Sequence, residues 1–69
     1  GVGYNALRYT TSSYNTAIGS ESLLSNTTGS QNTASGYRAL YSNTTGNYNV
    51  AIGDSSLTGN TTASTNVAV

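Results

Sequence analysis

Two carboxylates (Glu21, Asp54) and two guanidinium groups (Arg8, Arg38) are the whole charged complement of this 69-residue chain, which has neither His nor Cys. General acid–base chemistry needs several positioned titratable groups, and two isolated carboxylates do not supply them. The chain is therefore expected not to be an enzyme. Thiolate zinc sites need Cys and calcium-binding β-rolls need recurring Asp, so neither a metal nor a cofactor is expected. Gly1, Gly3 and Ala6 match the dinucleotide fingerprint G-x-G-x-x-[GA], but no strand precedes them and no βαβ unit follows, which makes the match a coincidence. Asn26, Asn43 and Asn60 each head an Asn-Thr-Thr sequon; a repeated turn repeats any tripeptide it contains, so glycosylation there stays open. The six Tyr residues are the only aromatics. An aromatic face with a hydroxyl suits a sugar ring, and Tyr14, Tyr37 and Tyr48 are the candidate glycan contacts, against the alternative that they pack along an edge or between chains.

Net charge is zero, whereas nucleic-acid binding needs clustered Lys and Arg, so no nucleic-acid partner is expected. No apolar run approaches the roughly 20 residues of a membrane-spanning helix, and no membrane insertion is expected. Ser, Thr, Asn and Gly supply 40 of the 69 residues, while Leu, Ile and Val supply 11. Such polarity often means disorder, yet disordered chains add high net charge and Pro, and this chain has neither.

What positions these few groups is a repeat. Residues 14–30 read YNTAIGSESLLSNTTGS, 31–47 QNTASGYRALYSNTTGN and 48–64 YNVAIGDSSLTGNTTAS, a period of 17. Residues 65–69 begin a further copy, and residues 1–13 fit the latter part of a preceding one with a residue deleted near Tyr9. The whole of 1–69 thus reads as a single repeat region, an excerpt of a longer array. Aligned copies give columns: Asn15, Asn32, Asn49 and Asn66; Ala17, Ala34, Ala51 and Ala68; Gly3, Gly19, Gly36 and Gly53; Leu7, Leu23, Leu40 and Leu57.

Seventeen residues are too few for a helix-turn-helix unit and suit one turn of a β-solenoid or β-roll. The fold class expected is all-β, with two short strands per rung: Asn-Thr-Ala-Ile-Gly, then Ser-Leu-Leu or Arg-Ala-Leu-Tyr, with Ser-Asn-Thr-Thr-Gly as the turn. Like residues then stack on like. The Asn column predicts an amide ladder, and Gly19, Gly36 and Gly53 predict a bend that needs positive φ or leaves no room for a side chain. Glu21 and Arg38 share a column and are expected to pair. Val2, Ile18, Val50, Ile52 and Val67, with Leu7, Leu23, Leu40 and Leu57, are expected to fill a thin interior. The Ala column is expected outside, as a flat stripe for interchain packing.

Asn-Thr-Ala-Ile-Gly-Ser (15–20), Asn-Val-Ala-Ile-Gly-Asp (49–54), Gly-Tyr-Arg-Ala-Leu-Tyr-Ser-Asn-Thr-Thr-Gly-Asn (36–47) and Gly-Tyr-Asn-Ala-Leu (3–7) resemble the Ala-Ile-Gly repeats of bacteriophage tail fibres. They are similar, more distantly, to the β-roll heads of trimeric autotransporter adhesins. The resemblance covers essentially the whole chain. Two departures stand out: Ser35 replaces the Ile, and the period is longer than the adhesin-head rung. The resemblance implies a parallel homotrimeric fibre on a virion or at a cell surface, with self as partner and a host surface glycan or receptor as target. A structural shaft or adhesive repeat is therefore the leading expectation. A self-assembling amyloid-like filament is the second, and an ice-binding solenoid carrying ranks of Thr27/Thr28, Thr44/Thr45 and Thr61/Thr62 is the third.

Overall fold

β-Branched residues beside an Ala favour extended backbone, on both sides in Thr16–Ile18 and Val50–Ile52 and on one side in Thr33–Ser35, and each copy becomes a strand at that point. The computed structural model describes residues 2–69, with Gly1 of the fingerprint match outside them. Four strands follow in order: β1 (Thr16–Ile18), β2 (Thr33–Ser35), β3 (Val50–Ile52) and β4 (Val67–Ala68). They form one parallel sheet in the order β1-β2-β3-β4. Thr16 faces Thr33 and Ala17 faces Ala34; Thr33 faces Val50, and Val50 faces Val67. Each step is one 17-residue copy, so the period read from the sequence is the pairing register. Among the described residues the chain is all-β, with no helix.

Before β1 the register slips. Val2 bridges Ile18, and Thr11 N bonds Thr27 O at 3.0 Å, both one residue short of a full copy. Thr10 Oγ1 accepts from Asn26 Nδ2 at 2.8 Å, as Asn26 Oδ1 accepts from Asn43 Nδ2 at 2.9 Å, so Thr10 stands where later copies have Asn. Asn15, by contrast, meets Asn32 in the full 17-residue register. The missing residue therefore falls in the turn between Thr11 and Tyr14, not near Tyr9.

The second expected strand is absent. After each strand the chain bends at a Gly with φ of 118° to 131°, and non-Gly residues with positive φ follow: Glu21 (60°) and Leu23 (50°), Arg38 (57°) and Leu40 (52°), Ser55 (58°) and Leu57 (53°). Hydrogen bonds three residues apart close these turns, as in Ser22 N to Gly19 O (3.3 Å), Tyr41 N to Arg38 O (3.1 Å) and Asn43 N to Leu40 O (3.2 Å). In the first two the third residue, Glu21 or Leu40, has positive φ, the type II turn signature. Each repeat is thus one strand followed by a run of tight turns. Ser22 with Leu23 and Ala39 with Leu40 are buried as adjacent pairs, which the alternation of a strand does not produce.

The bends need glycine for space as well as torsion. A Cβ on Gly19 would lie 2.8 Å from the carbonyl carbon of Gly36, and one on Gly36 would lie 2.5 Å from Gly53 O. Neighbouring copies approach backbone to backbone there, and no L side chain fits.

Inside and outside of the strand are the reverse of the expectation. Ala17, Ala34 and Ala51 are buried, while Val2 (65% exposed), Ile18 (49%), Ile52 (44%) and Val67 (74%) face out and Val50 is half-buried. The Leu column behaves as expected, with Leu23 and Leu40 fully buried and Leu7 and Leu57 packed against them. The cause is strand parity. Residues two apart share a face, so Asn32 and Ala34 point the same way, as do Asn49 and Ala51. The Asn side chains are committed inward by their hydrogen bonds, and the Ala column goes with them into one cluster with Leu23 and Leu40.

Candidate functional site

Polar side chains make up much of the interior. Asn26, Asn32, Asn43 and Asn49 are fully buried, and a buried amide must find partners. They form two ladders. In the first, Asn15, Asn32 and Asn49 accept through Oδ1 from the backbone N of Asn32, Asn49 and Asn66 at 3.0 to 3.1 Å. The same residues donate through Nδ2 to Gly29 O, Gly46 O and Ala63 O at 2.8 to 2.9 Å. In the second, Asn43 and Asn60 donate to the Oδ1 of Asn26 and Asn43, both at 2.9 Å. Among the described residues no buried side-chain polar atom lacks a partner. The column expected to form an amide ladder bonds mainly to backbone, with one amide-to-amide bond inside it, Asn32 Nδ2 to Asn15 Oδ1 at 3.3 Å; the amide-to-amide ladder runs along Asn26, Asn43 and Asn60, a column whose sequence pattern indicates only a turn.

That second column contains the sequons. Asn26 and Asn43 bury the nitrogen that a glycan would need, and both ladder and turn contacts engage it. The folded repeat offers them to no glycosyl transfer. The neighbouring Thr27 and Thr44 hydroxyls donate to Thr44 O and Thr61 O at 3.2 and 3.3 Å, so this Thr rank is tied to backbone rather than presented free.

Charge collects elsewhere. Arg8, Glu21, Arg38 and Asp54 all lie in the turn segments after the Gly bends (3–9, 19–25, 36–42, 53–59), together with Tyr4, Tyr9, Tyr37 and Tyr41. Arg38 Nε donates to Glu21 Oε1 at 2.9 Å across adjacent repeats, the pairing expected from their shared column. The guanidinium carbon lies 5.1 Å from the Tyr37 ring centre and 4.9 Å from that of Tyr41, within cation–π range of both. The Glu21 hydrogen bond raises the pKa of Arg38 above its already high ordinary value, which leaves it fully charged at neutral pH. Arg8 repeats the theme more loosely, 5.2 Å from the Tyr9 ring with Nη1 on Asn5 Oδ1 at 3.2 Å. Asp54 accepts from the hydroxyl of Ser55.

The three tyrosines expected to meet a glycan are therefore separated. Tyr37 joins Arg38 and Tyr41. Tyr14 and Tyr48, 83% and 58% exposed, share a column just before the strands, and neither has a charged group against its ring among the described residues. Sequence reasoning missed Arg38 and Tyr41 as a unit; the signal was their spacing of three, which the turn closed by Tyr41 N to Arg38 O brings together and an extended strand does not. Among the described residues no pocket opens, and no three His, Cys, Asp or Glu side chains gather. Gly3, of the fingerprint match, occupies an ordinary bend position with φ of 118°.

Comparison with protein-family models, with curated proteins and with solved structures gave no match.

Proposed function

We propose that this chain is a segment of a β-solenoid that assembles with copies of itself into a parallel homotrimeric fibre on a virion or at a cell surface, where it serves as a non-catalytic shaft for attachment. The observation that carries this reading is the outer face of the sheet. Its columns run Thr16, Thr33, Val50, Val67 and Val2, Ile18, Ser35, Ile52, with no charge among them. Five of the chain's 11 Leu, Ile and Val residues (Val2, Ile18, Ile52, Val67 and Val69) are exposed. Exposed Val and Ile on a chain so poor in aliphatics are expensive to leave in water, and such side chains on one face mark a contact surface; Thr33 and Ser35 of β2 stand between Ile18 and Ile52 on that face. Packing against other chains falls to this Val/Ile face; the Ala column, expected for that task, is occupied inside. The resemblance to tail-fibre repeats supports three copies and an exposed location.

Sedimentation velocity over a range of concentrations tests the assembly. Trimers are expected, and the double substitution Ile18→Asn/Ile52→Asn should return monomers that keep their β-type circular dichroism. A chain that stays monomeric at every concentration overturns the reading.

The amide ladders favour one second reading, an amyloid-like filament, because in-register Asn columns also stabilise cross-β stacks. That reading expects elongation with concentration and a cross-β diffraction pattern in place of a closed trimer.

A further inference from the structure

The turn segments differ from the rest of the repeat in what they allow to vary. Their first residue is always Gly and their fifth always Leu, both dictated by packing. Their second, third, sixth and seventh positions read Tyr, Asn, Arg, Tyr in 3–9 and Tyr, Arg, Tyr, Ser in 36–42, but Ser, Glu, Leu, Ser in 19–25 and Asp, Ser, Thr, Gly in 53–59. In a repeat array the strip that departs from the consensus is the place where one copy can be made chemically distinct from its neighbours.

Arg38 is the most organised group on that strip. Glu21 anchors its Nε and Tyr37 and Tyr41 hold its plane, while Nη1 and Nη2 donate to nothing among the described residues and the side chain is 44% exposed. A guanidinium fixed at one edge, with its outer fork open, matches a two-oxygen anion with little further loss of side-chain freedom. The flanking phenol rings offer apolar faces to whatever carries that anion. Arg8 with Tyr9 is a second unit two repeats away, about 10 Å along the strip at about 4.8 Å per repeat. Leu24, half-buried, lies in the column between Arg8 and Tyr41.

We propose that this strip binds an acidic oligosaccharide, with the carboxylate of one uronic-acid residue in the Arg38 fork, its ring against Tyr37 and Tyr41, and a second acid further along the polymer at Arg8. A phosphate polymer fits less well. It draws its affinity from many cations, and here two arginines are balanced by Glu21 and Asp54. Asp54, in the column of Tyr37 one repeat beyond, repels an anion placed past Arg38, whereas on the side toward Arg8 the intervening carboxylate, Glu21, is paired with Arg38 Nε. The inference rests on the reading of the chain as an exposed attachment fibre, whose target class it names.

The test is a titration of the chain with a hyaluronan hexasaccharide, with chitohexaose as the neutral arm and sodium acetate as the free-carboxylate arm, followed by NMR at the Arg38 Nε–H and the tyrosine rings. The acidic hexasaccharide should shift Arg38, Tyr37 and Tyr41 together. Chitohexaose should shift none of them, and acetate should bind at least about tenfold more weakly than the hexasaccharide for want of ring contacts. Arg38→Lys, which keeps the charge and loses the fork, should weaken binding about tenfold with an unchanged backbone amide spectrum. Equal binding of chitohexaose, acetate as tight as the hexasaccharide, or an unaffected Lys variant overturns the proposal. Sedimentation on the same samples separates the two readings: trimers that bind no sugar sink this one alone, and monomers that bind it sink only the fibre.

Discussion

Asn32 and Arg38 stand six residues apart in one repeat, and each reaches a neighbouring copy with its side chain. The Asn32 carbonyl oxygen takes the backbone N–H of Asn49 and its amide gives a proton to Gly46 O, so the side chain completes main-chain hydrogen bonding that every copy needs. Arg38 meets Glu21 at the surface, and no main-chain group depends on it. The column of Asn32 holds Asn in all its copies, whereas that of Arg38 runs Asn5, Glu21, Arg38, Ser55. Repetition is strict where a side chain substitutes for backbone pairing and relaxes where it meets solvent. The molecule thus divides into a framework that cannot be rewritten and a strip that can.

Mutations should reproduce that division. Asn49→Ala breaks the framework most severely, since it strands the N–H of Asn66 and leaves Ala63 O with Asn60 Nδ2 as its one remaining side-chain donor. A loss of about 2 to 4 kcal/mol is expected, from roughly 1 to 3 for the abandoned N–H and roughly 0.5 to 1.5 for the bond lost at Ala63 O, read from urea unfolding. Gly36→Ala comes next, at about 2 to 3 kcal/mol, because the new methyl meets Gly53 backbone and φ is 131°. Gly59→Ala is its control: open space surrounds that position, and the unfolding midpoint should hold or rise slightly. Ala34→Val overfills the space facing the Leu column and should cost about 1 to 3 kcal/mol, whereas Thr33→Val on the outward side of the same strand should leave the chain as stable as before. Glu21→Gln on the strip should change stability too little to measure. It should, however, loosen Arg38 enough to broaden its Nε–H resonance. A framework substitution without cost, or a strip substitution that unfolds the chain, would erase the distinction.

Much of the framework is legible in the sequence because copies in register make columns, and a column of one residue type has few physical explanations. Asn15, Asn32, Asn49 and Asn66 could be read as a ladder and Gly19, Gly36 and Gly53 as a crowded bend before any coordinates. Two features were not legible by the same means. The turn around Leu23 and Leu40 hides as a strand because no Gly or Pro in 20–25 or 37–42 marks the positive φ of Glu21, Leu23, Arg38 and Leu40. The interior position of Ala34 runs against the rule that larger aliphatics go inside; it follows from parity with Asn32, which a hydrophobicity pattern ignores. At the candidate site the Glu21–Arg38 pair could be read from a shared column, but the approach of Tyr41 to Arg38 depends on that same unforeseen turn.

The short copy at the start of the described chain bears on how such a molecule changes over generations. One residue is missing between Thr11 and Tyr14, yet Val2 still pairs with Ile18 and Thr10 still accepts from Asn26. A turn that absorbs a deletion without disturbing the sheet makes the array tolerant of replication slippage. Because adjoining copies make the same hydrogen bonds, unequal crossing-over can add or remove whole units in frame. Length then becomes a heritable quantity adjusted in steps of about 4.8 Å, and lineages can diverge in reach without any single residue being replaced.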